Sequence, residues 1–529
     1  MPRRSHPLLR ALLLLCTLGL IVPALASPGS ATPTPAATTL AAEPDPDANP
    51  HRAQRAIEAL ERVQDLLAGE GKNGARSLTL ELRDLALLRG QLTGVQRAQA
   101  NQLLARPLRP SKSQRKCSSV ICVHWQTKRQ SERHGVRSLK YVRNVLRTMT
   151  AVHKKYIAAG YRRPFRDGRR GGNSKPDVYL GDIGANNLYG YCTTDDPRPP
   201  KHGGTWGFCV LDNDYSSEQF PAHTPLENMK VTAAHEYFHN VQFAHDYGED
   251  AWFMEATATW AEDEVYDHIN DNAFYLPHGP ISNPLTSLDT FAYDGLFHYG
   301  TWIFIRYLTD RYGTKVAGMD DLVLDMWNGA TGKDRAKYSL ASVVQTLQAN
   351  GTTLEAEYAK FAAGNRQPSR TYPQEYQEVA ADPENKDGYP RTPLVDQFSL
   401  APDATQGFGR SYDHLTARTV RYVPTDETGP LSMLNLTFDL ADTPSGGHAV
   451  IVTKPVSGAQ TQTLVTADGA AAPIPFDVAA TKWVEVTIVN GSSRFDCWNG
   501  SNYPMPDYSC MGDSRDDGVM QKVSAAVTP

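Results

Sequence analysis

Beyond its first residues, the chain has no apolar run long enough to cross a bilayer. Charge is not biased toward one sign: 53 Lys and Arg stand against 58 Asp and Glu, both dispersed, for a net charge of −5. Such a balance gives no electrostatic footprint for nucleic acid. No C-x-x-C pair occurs, which argues against cysteine-built zinc clusters, and no G-x-S-x-G occurs, so a serine nucleophile elbow is absent. No internal repeat is found.

What is present begins with a secretory-type start. Arg3, Arg4 and Arg10 precede the apolar run Ala11 to Pro23, and Ala24-Leu25-Ala26 supplies a small-x-small cleavage site. Removal of residues 1–26 predicts a secreted, extracellular protein with no membrane attachment. Six cysteines would remain, in close-spaced couples: Cys117 and Cys122, Cys192 and Cys209, Cys497 and Cys510. In an oxidising compartment, local pairing of each couple is the simplest arrangement and leaves no free cysteine nucleophile.

A mature chain of about 500 residues is too long for one core, so more than one domain is expected. Residues 27–50 are rich in Ala, Pro and Thr and read as a linker. From about residue 51 to 106 the pattern is helical. Ile57, Leu60, Val63, Leu66 and Leu67 form one stripe, and Leu78 to Leu88 another, with Gly69-Glu70-Gly71 between. This is either a helical cap or an inhibitory pro-region, and its place before the first cysteine couple favours the second. Short strand patterns at Asp177–Leu180 and Phe208–Leu211 then alternate with long helices. Residues 366–394 read as a proline-rich linker. After them, Leu431–Leu440, His448–Lys454 and Lys482–Val489 have strand texture between turn residues. The expected fold class is α+β: a catalytic domain at 117–365, a helical pro-region within 27–116 before it, and a β-sandwich module at 395–529 after it.

The chemistry is concentrated in His235-Glu236-Tyr237-Phe238-His239. Thr224-Pro225-Leu226-Glu227 is a capping box with Pro at the first helical position, and Gly248 suggests the C-terminal stop. The motif therefore lies inside a helix of about 22 residues. Residues four apart share a helix face, so His235 and His239 can bind one metal ion while Glu236 stands beside the open position as a general base. The implied cofactor is Zn2+.

Zinc in a hydrolytic site needs a third protein ligand. His245 has the metzincin spacing, but Gln242 stands where that pattern needs Gly to end the helix. A continuing helix would turn His245 about 240° away from His239, leaving it a surface or capping residue. Glu255 begins a second helical run, Ala251–Tyr266, after the break at Gly248. An antiparallel helix pair would return Glu255 to the two histidines. Glu262 would lie about 10 Å further along and could not share the metal. Thr259, one turn from Glu255, could fix its carboxylate. Asp212, Asp214, Asp246, Glu249 and Asp250 read as acidic turns before they read as a calcium site.

Trp252-Phe253-Met254-Glu255-Ala256-Thr257-Ala258-Thr259 is similar to the W-x-x-E-G-x-A-[ST] box of gluzincin metallopeptidases, with Ala256 in place of Gly. Over most of residues 117–365 the chain resembles more closely a family of secreted bacterial metalloproteases, the MXAN-type group. The shared segments are Cys122-Val123-His124-Trp125, Asp177-Val178-Tyr179-Leu180, Val210 to Tyr215, His235 to His239, and Glu255 to Asp263. The resemblance implies a zincin-like fold, a peptidase activity and Glu255 as third ligand. The calcium loop that members often carry is replaced here by Gln130 to Arg137, with too few carboxylates to carry calcium over.

The expected mechanism is peptide-bond hydrolysis with zinc on His235, His239 and Glu255, and Glu236 as base. Oxyanion donors are sought among Tyr293, His298 and Tyr299, ahead of a helix at Trp302–Tyr312, with Tyr299 preferred. The partner is a protein or peptide substrate, and a monomer is the expected state. No loop of the G-x-M-E-N kind is found to grip a free amine, so internal cleavage is favoured over an aminopeptidase. A reading from a different class is a non-catalytic surface-binding protein whose metal is structural.

Overall fold

The computed structural model describes residues 52–70, 78–107, 114–331, 337–381, 388–498 and 508–529. The signal segment and linker expected at residues 1–50 lie outside these. The chain is α+β, and among the described residues no helix is long and apolar enough to cross a membrane.

Among the described residues, three α-helices come first: α1 (Arg52–Ala68), α2 (Leu78–Leu88) and α3 (Gly94–Leu103). Ala56, Ala59, Leu60, Val63 and Leu66 are buried on α1, so the predicted apolar stripe is the packed face. On α2 every residue from Leu78 to Ala86 is buried, including Glu81, Arg83 and Asp84.

A sheet follows, built from β1 (Gln114–Cys117), β2 (Cys122–Thr127), β3 (Gly135–Val136), β4 (Asp177–Gly181), β5 (Gly190–Thr193) and β6 (Phe208–Asp212), with α4 (Leu139–Ala158) between β3 and β4. The strand order is β1-β2-β4-β6-β5, with β3 beside β2. Strands β2, β4 and β6 run parallel, and β5 lies antiparallel on β6 at the sheet edge. Disulfides join Cys117 to Cys122, Cys192 to Cys209 and Cys497 to Cys510, the three local pairings expected.

Under this sheet runs α5 (Pro225–His245), then α6 (Ala251–Tyr266). The capping box is formed: the Thr224 side chain accepts from the Glu227 N–H while Glu227 accepts from the Thr224 N–H. Helix α5 is buried from Asn228 to His245 except at Lys230, because sheet, α4 and α6 enclose it. Tyr156 of α4 donates to the Ala234 carbonyl at 2.8 Å, and His153 lies 2.6 Å from the Tyr237 hydroxyl. Gly248 is not the left-handed helix stop that its position suggested. The helix ends at His245 with extended Asp246 as cap, and Gly248 is needed because a Cβ there would lie 1.8 Å from the Lys201 carbonyl oxygen. Asp246 folds the connection by accepting the N–H groups of Gly203 and Gly248.

Further on come α7 (Phe297–Gly300), α8 (Trp302–Tyr312), a small hairpin of β7 (Lys315–Val316) and β8 (Met319–Asp320), and helices α9 (Leu322–Gly329), α10 (Ser339–Ala349) and α11 (Leu354–Gly364). The stretch expected as a linker holds α12 (Pro368–Thr371) and α13 (Pro373–Ala381), with Tyr372 and Val379 buried. The C-terminal part has two five-stranded sheets sharing one apolar core. One contains β10 (Thr405–Tyr412), β12 (Met433–Asp439), β15 (Gly469–Ala470), β16 (Ile474–Pro475) and β20 (Val519–Thr528). The other contains β9 (Asp396–Leu400), β11 (Thr416–Pro424), β13 (Gly447–Pro455), β14 (Thr461–Val465) and β17 (Thr481–Asn490). The pair β18 (Phe495–Asp496) and β19 (Asp513–Ser514) lies apart.

Polar side chains join these sheets to the helices. Buried His414 sits between Asp289 at 3.0 Å and Asp517 at 2.6 Å, Arg366 reaches Glu485 at 2.9 Å, and Trp252 of α6 donates to Ser509 at 3.0 Å. Burial alone would lower the His414 pKa, but Asp289 and Asp517 outweigh it and hold it up at about 10. Because the folded value exceeds the unfolded one, this stabilisation is fully present below about pH 6.5 and is lost as pH rises through about 10. His414→Gln should therefore lower stability by about 3 kcal/mol near pH 6. Thermal unfolding from pH 6 to 10 should show the gap to the unaltered protein closing as pH rises.

Candidate functional site: a buried His, His, Glu cluster

Residues His235 and His239 stand one turn apart on α5, and the antiparallel return of α6 brings Glu255 against both. His235 Nε2 lies 3.1 Å from His239 Nε2 and 3.1 Å from the Glu255 carboxylate, and His239 Nε2 lies 3.5 Å from the same carboxylate oxygen. Among the described residues, this is the group of His, Cys, Asp and Glu side chains whose ligand atoms converge as a metal site requires, all within 4.8 Å of one another.

The other ring nitrogens show why the convergence is directed. His235 Nδ1 lies 2.6 Å from Glu262 Oε1, a carboxylate that accepts only. His239 Nδ1 lies 2.7 Å from the Gln242 amide oxygen. That amide is oriented by its own donors: Gln242 Nε2 gives hydrogen bonds to the Met254 carbonyl at 2.9 Å and to Thr257 Oγ1 at 3.1 Å, and Thr257 donates onward to the Phe253 carbonyl. When neutral, each imidazole is thus set to carry its proton on Nδ1 and to present an Nε2 lone pair inward. Two lone pairs and a carboxylate at these distances repel unless a cation lies among them. The donor set of two imidazole nitrogens and one carboxylate oxygen fits a borderline-soft divalent ion with one position left open.

Burial alone would lower the His235 pKa, but hydrogen bonds to Glu255 and Glu262 outweigh it and raise it well above the ordinary value. Burial would likewise raise Glu255, yet the two histidines hold it well below the carboxylate range. Glu236, on the next helical position, is pushed up by burial against the pull of His235 and His239. Its carboxylate accepts a hydrogen bond from Thr79 of α2 at 3.0 Å. A small cavity of about 40 Å³ is lined by His235, Glu236, Glu262, Tyr275 and Tyr299, among others.

The remaining sequence-derived residues divide. Tyr299 lies at the cleft, its ring 6.0 Å from that of His235 and stacked on Tyr275 at 4.8 Å. Tyr293 donates its hydroxyl to the Asp84 carboxylate of α2. His298 is buried between Phe291 and Tyr299, and burial lowers its pKa to about 4, so it is neutral. His245 is away from the cluster, as the helix phase required, but it is not a surface residue. It is buried against Tyr161 and Trp327, accepts the Arg162 N–H at 3.3 Å, and burial pushes its pKa down to about 3. Thr259 does not steady Glu255: its buried hydroxyl has no hydrogen-bond partner among the described residues. The carboxylates of the acidic turns are used internally. Asp212 accepts the N–H groups of Ile183, Gly184, Asp214 and Tyr215, and Asp250 accepts from Ser339 and Cys510.

Sequence reasoning passed over Gln242 and Glu262 as orienting groups. Spacing could have found the first, since Gln242 is three residues from His239 on one helix. Glu262 shows only once α6 packs on α5. A scan against protein-family models finds no match for this chain, and a search of curated proteins finds none either.

The orienting role sets an order of effects on metal retention. Gln242→Leu and Glu262→Gln should each weaken divalent-metal binding about 10- to 100-fold. Glu255→Ala should weaken it more, and His245→Ala should leave it unchanged. Metal content after dialysis against graded chelator measures the order, and equal loss in His245→Ala and Glu255→Ala would contradict it.

Proposed function

We propose that this chain is a zinc-dependent metallopeptidase of the gluzincin kind, with His235, His239 and Glu255 as ligands and Glu236 as general base. The carrying observation is the inward convergence of three ligand atoms with Glu236 on the adjoining helical position, at the wall of a cavity that His235 also lines. A structural zinc site closes its coordination with four protein ligands, whereas three protein ligands and an acid at the open side belong to hydrolysis. Within that class, the sequence segments around Cys122, Asp177, Val210 and Glu255 favour the secreted bacterial MXAN-type group, and with it a zincin-like catalytic domain. The three disulfides support an extracellular setting.

When bound, zinc supplies Lewis acidity to the scissile carbonyl and to the attacking water. Glu236 takes a proton from that water as its oxygen bonds to the carbonyl carbon. The raised affinity of this buried carboxylate for a proton suits it to deliver the proton to the leaving amine nitrogen as the C–N bond breaks. Tyr299, at the cavity wall, is the preferred hydroxyl donor to the oxyanion. Glu262 and Gln242 hold the two imidazoles in the tautomer that ligation needs. The substrate class is protein or peptide cleaved internally.

Glu236→Gln should keep zinc and fold while lowering hydrolysis of a denatured protein substrate by about 100-fold or more. Turnover and bound zinc would be measured on both proteins after any latency is relieved. Equal turnover at equal zinc would defeat the assignment of the base and return the site to a structural role.

A further inference from the structure

The proposed catalytic groups are buried, and the chain's own N-terminal helices touch the proposed base. His235 is 9 % exposed, Glu236 5 %, and His239 and Glu255 are fully buried. The recess beside them is small, about 40 Å³.

Three contacts tie α2 to this region. Thr79, in its first turn, donates its hydroxyl to Glu236 Oε2 at 3.0 Å and accepts the main-chain N–H of Cys192 at 2.9 Å. Cys192 is on β5, the antiparallel edge strand, so one hydroxyl ties up the base and an edge N–H together. Asp84, on the same helix, holds the Tyr293 hydroxyl, and Arg62 of α1 lies over the Tyr293 ring at 3.8 Å. Arg83 reaches the Glu249 carbonyl at 2.6 Å, in the connection that sets α6 against α5.

The boundary is of a kind that can part. Helix α2 buries Glu81, Arg83 and Asp84 along with its leucines. Glu81 is paired within the N-terminal segment, to Arg62 at 2.8 Å, and Arg83 with Asp84 at 2.7 Å. These pairs stay together if the three helices leave as a unit.

Resting on the metallopeptidase reading, we propose that helices α1 to α3 are an intramolecular inhibitor whose Thr79 hydroxyl latches Glu236, so that this form of the chain is latent and displacement of the segment opens the site. The hydroxyl takes the hydrogen-bond position on the Glu236 carboxylate that an attacking water would use. While it stays there, one carboxylate oxygen of the base is held by Thr79 and the β5 edge has no free N–H at Cys192.

The test uses the full chain with a site-specific protease sequence in place of residues 108–113, loaded with zinc, before and after cutting and removal of the N-terminal fragment. Two readouts are taken: binding of a peptidyl hydroxamate, which reports access to the metal without turnover, and hydrolysis of a denatured protein. Cutting should raise both, hydrolysis by about 100-fold or more because the base is released. In the uncut chain, Thr79→Val should raise hydrolysis about tenfold by removing a hydrogen bond to a charged group, while Thr79→Ser keeps the latency. Hydroxamate binding and hydrolysis that are already maximal in the uncut chain overturn the proposal. Should the cut protein lose its fold, the uncut variant decides, and a Thr79→Val protein identical to the unaltered one in both readouts also overturns it. Hydroxamate binding gained on cutting with no hydrolysis would support the latch and count against the peptidase reading instead.

Discussion

Three acceptors are held face to face in a buried place, and this electrostatic conflict is the constraint the centre of the molecule is built around. Two imidazole nitrogens and a carboxylate 3.1 to 3.5 Å apart do not coexist without positive charge between them, which a proton on His235 or a metal ion can supply. The surroundings do not relieve the conflict; they enforce it. Glu262 and Gln242 occupy the outer ring nitrogens, and Thr257 and Met254 fix the Gln242 amide in turn. A site tensioned in this way favours a cation of the right size and softness, and the long buried helix α5 is the rigid element that makes the tension possible.

Polar contacts also join the parts of the chain to one another. His414, between Asp289 and Asp517, ties the C-terminal sheets to the loop ahead of α7, and Glu485 takes Arg366 and Arg421 together. Cys510, disulfide-bonded to Cys497, and its neighbour Ser509 rest on the start of α6 through Asp250 and Trp252. The element that carries Glu255 is therefore braced from the C-terminal part, while its junction with α5 is braced from the N-terminal part through Arg83. Neither flanking part is a passive appendage of the site.

Much of the local structure was legible because it follows from short-range chemistry. Thr224 and Glu227 cap α5, and the absence of Gly at position 242 lets the helix run on and swings His245 away. The bounds of α6 and α8 follow from the same turn and breaker signals. Gly248 was misread because a glycine after a helix has two uses, a left-handed stop or a close approach, and only the position of Lys201 distinguishes them. Thr259 was misread because helical spacing locates a residue on a face but does not supply its partner.

The sequence by itself determined the His-Glu-x-x-His pattern, the register of His235 and His239 on one face, the local disulfide couples and the alternation of helices and strands, since each depends on residues within a few turns of one another. Only the tertiary structure decided which groups orient the imidazoles, what braces α6, and that Thr79 stands on Glu236. Those contacts join residues 27 positions apart for Glu262 and His235, and 157 apart for Thr79 and Glu236. Periodicity and capping act along the chain, whereas a hydrogen bond between distant segments exists only after both have been packed, so no local pattern encodes it.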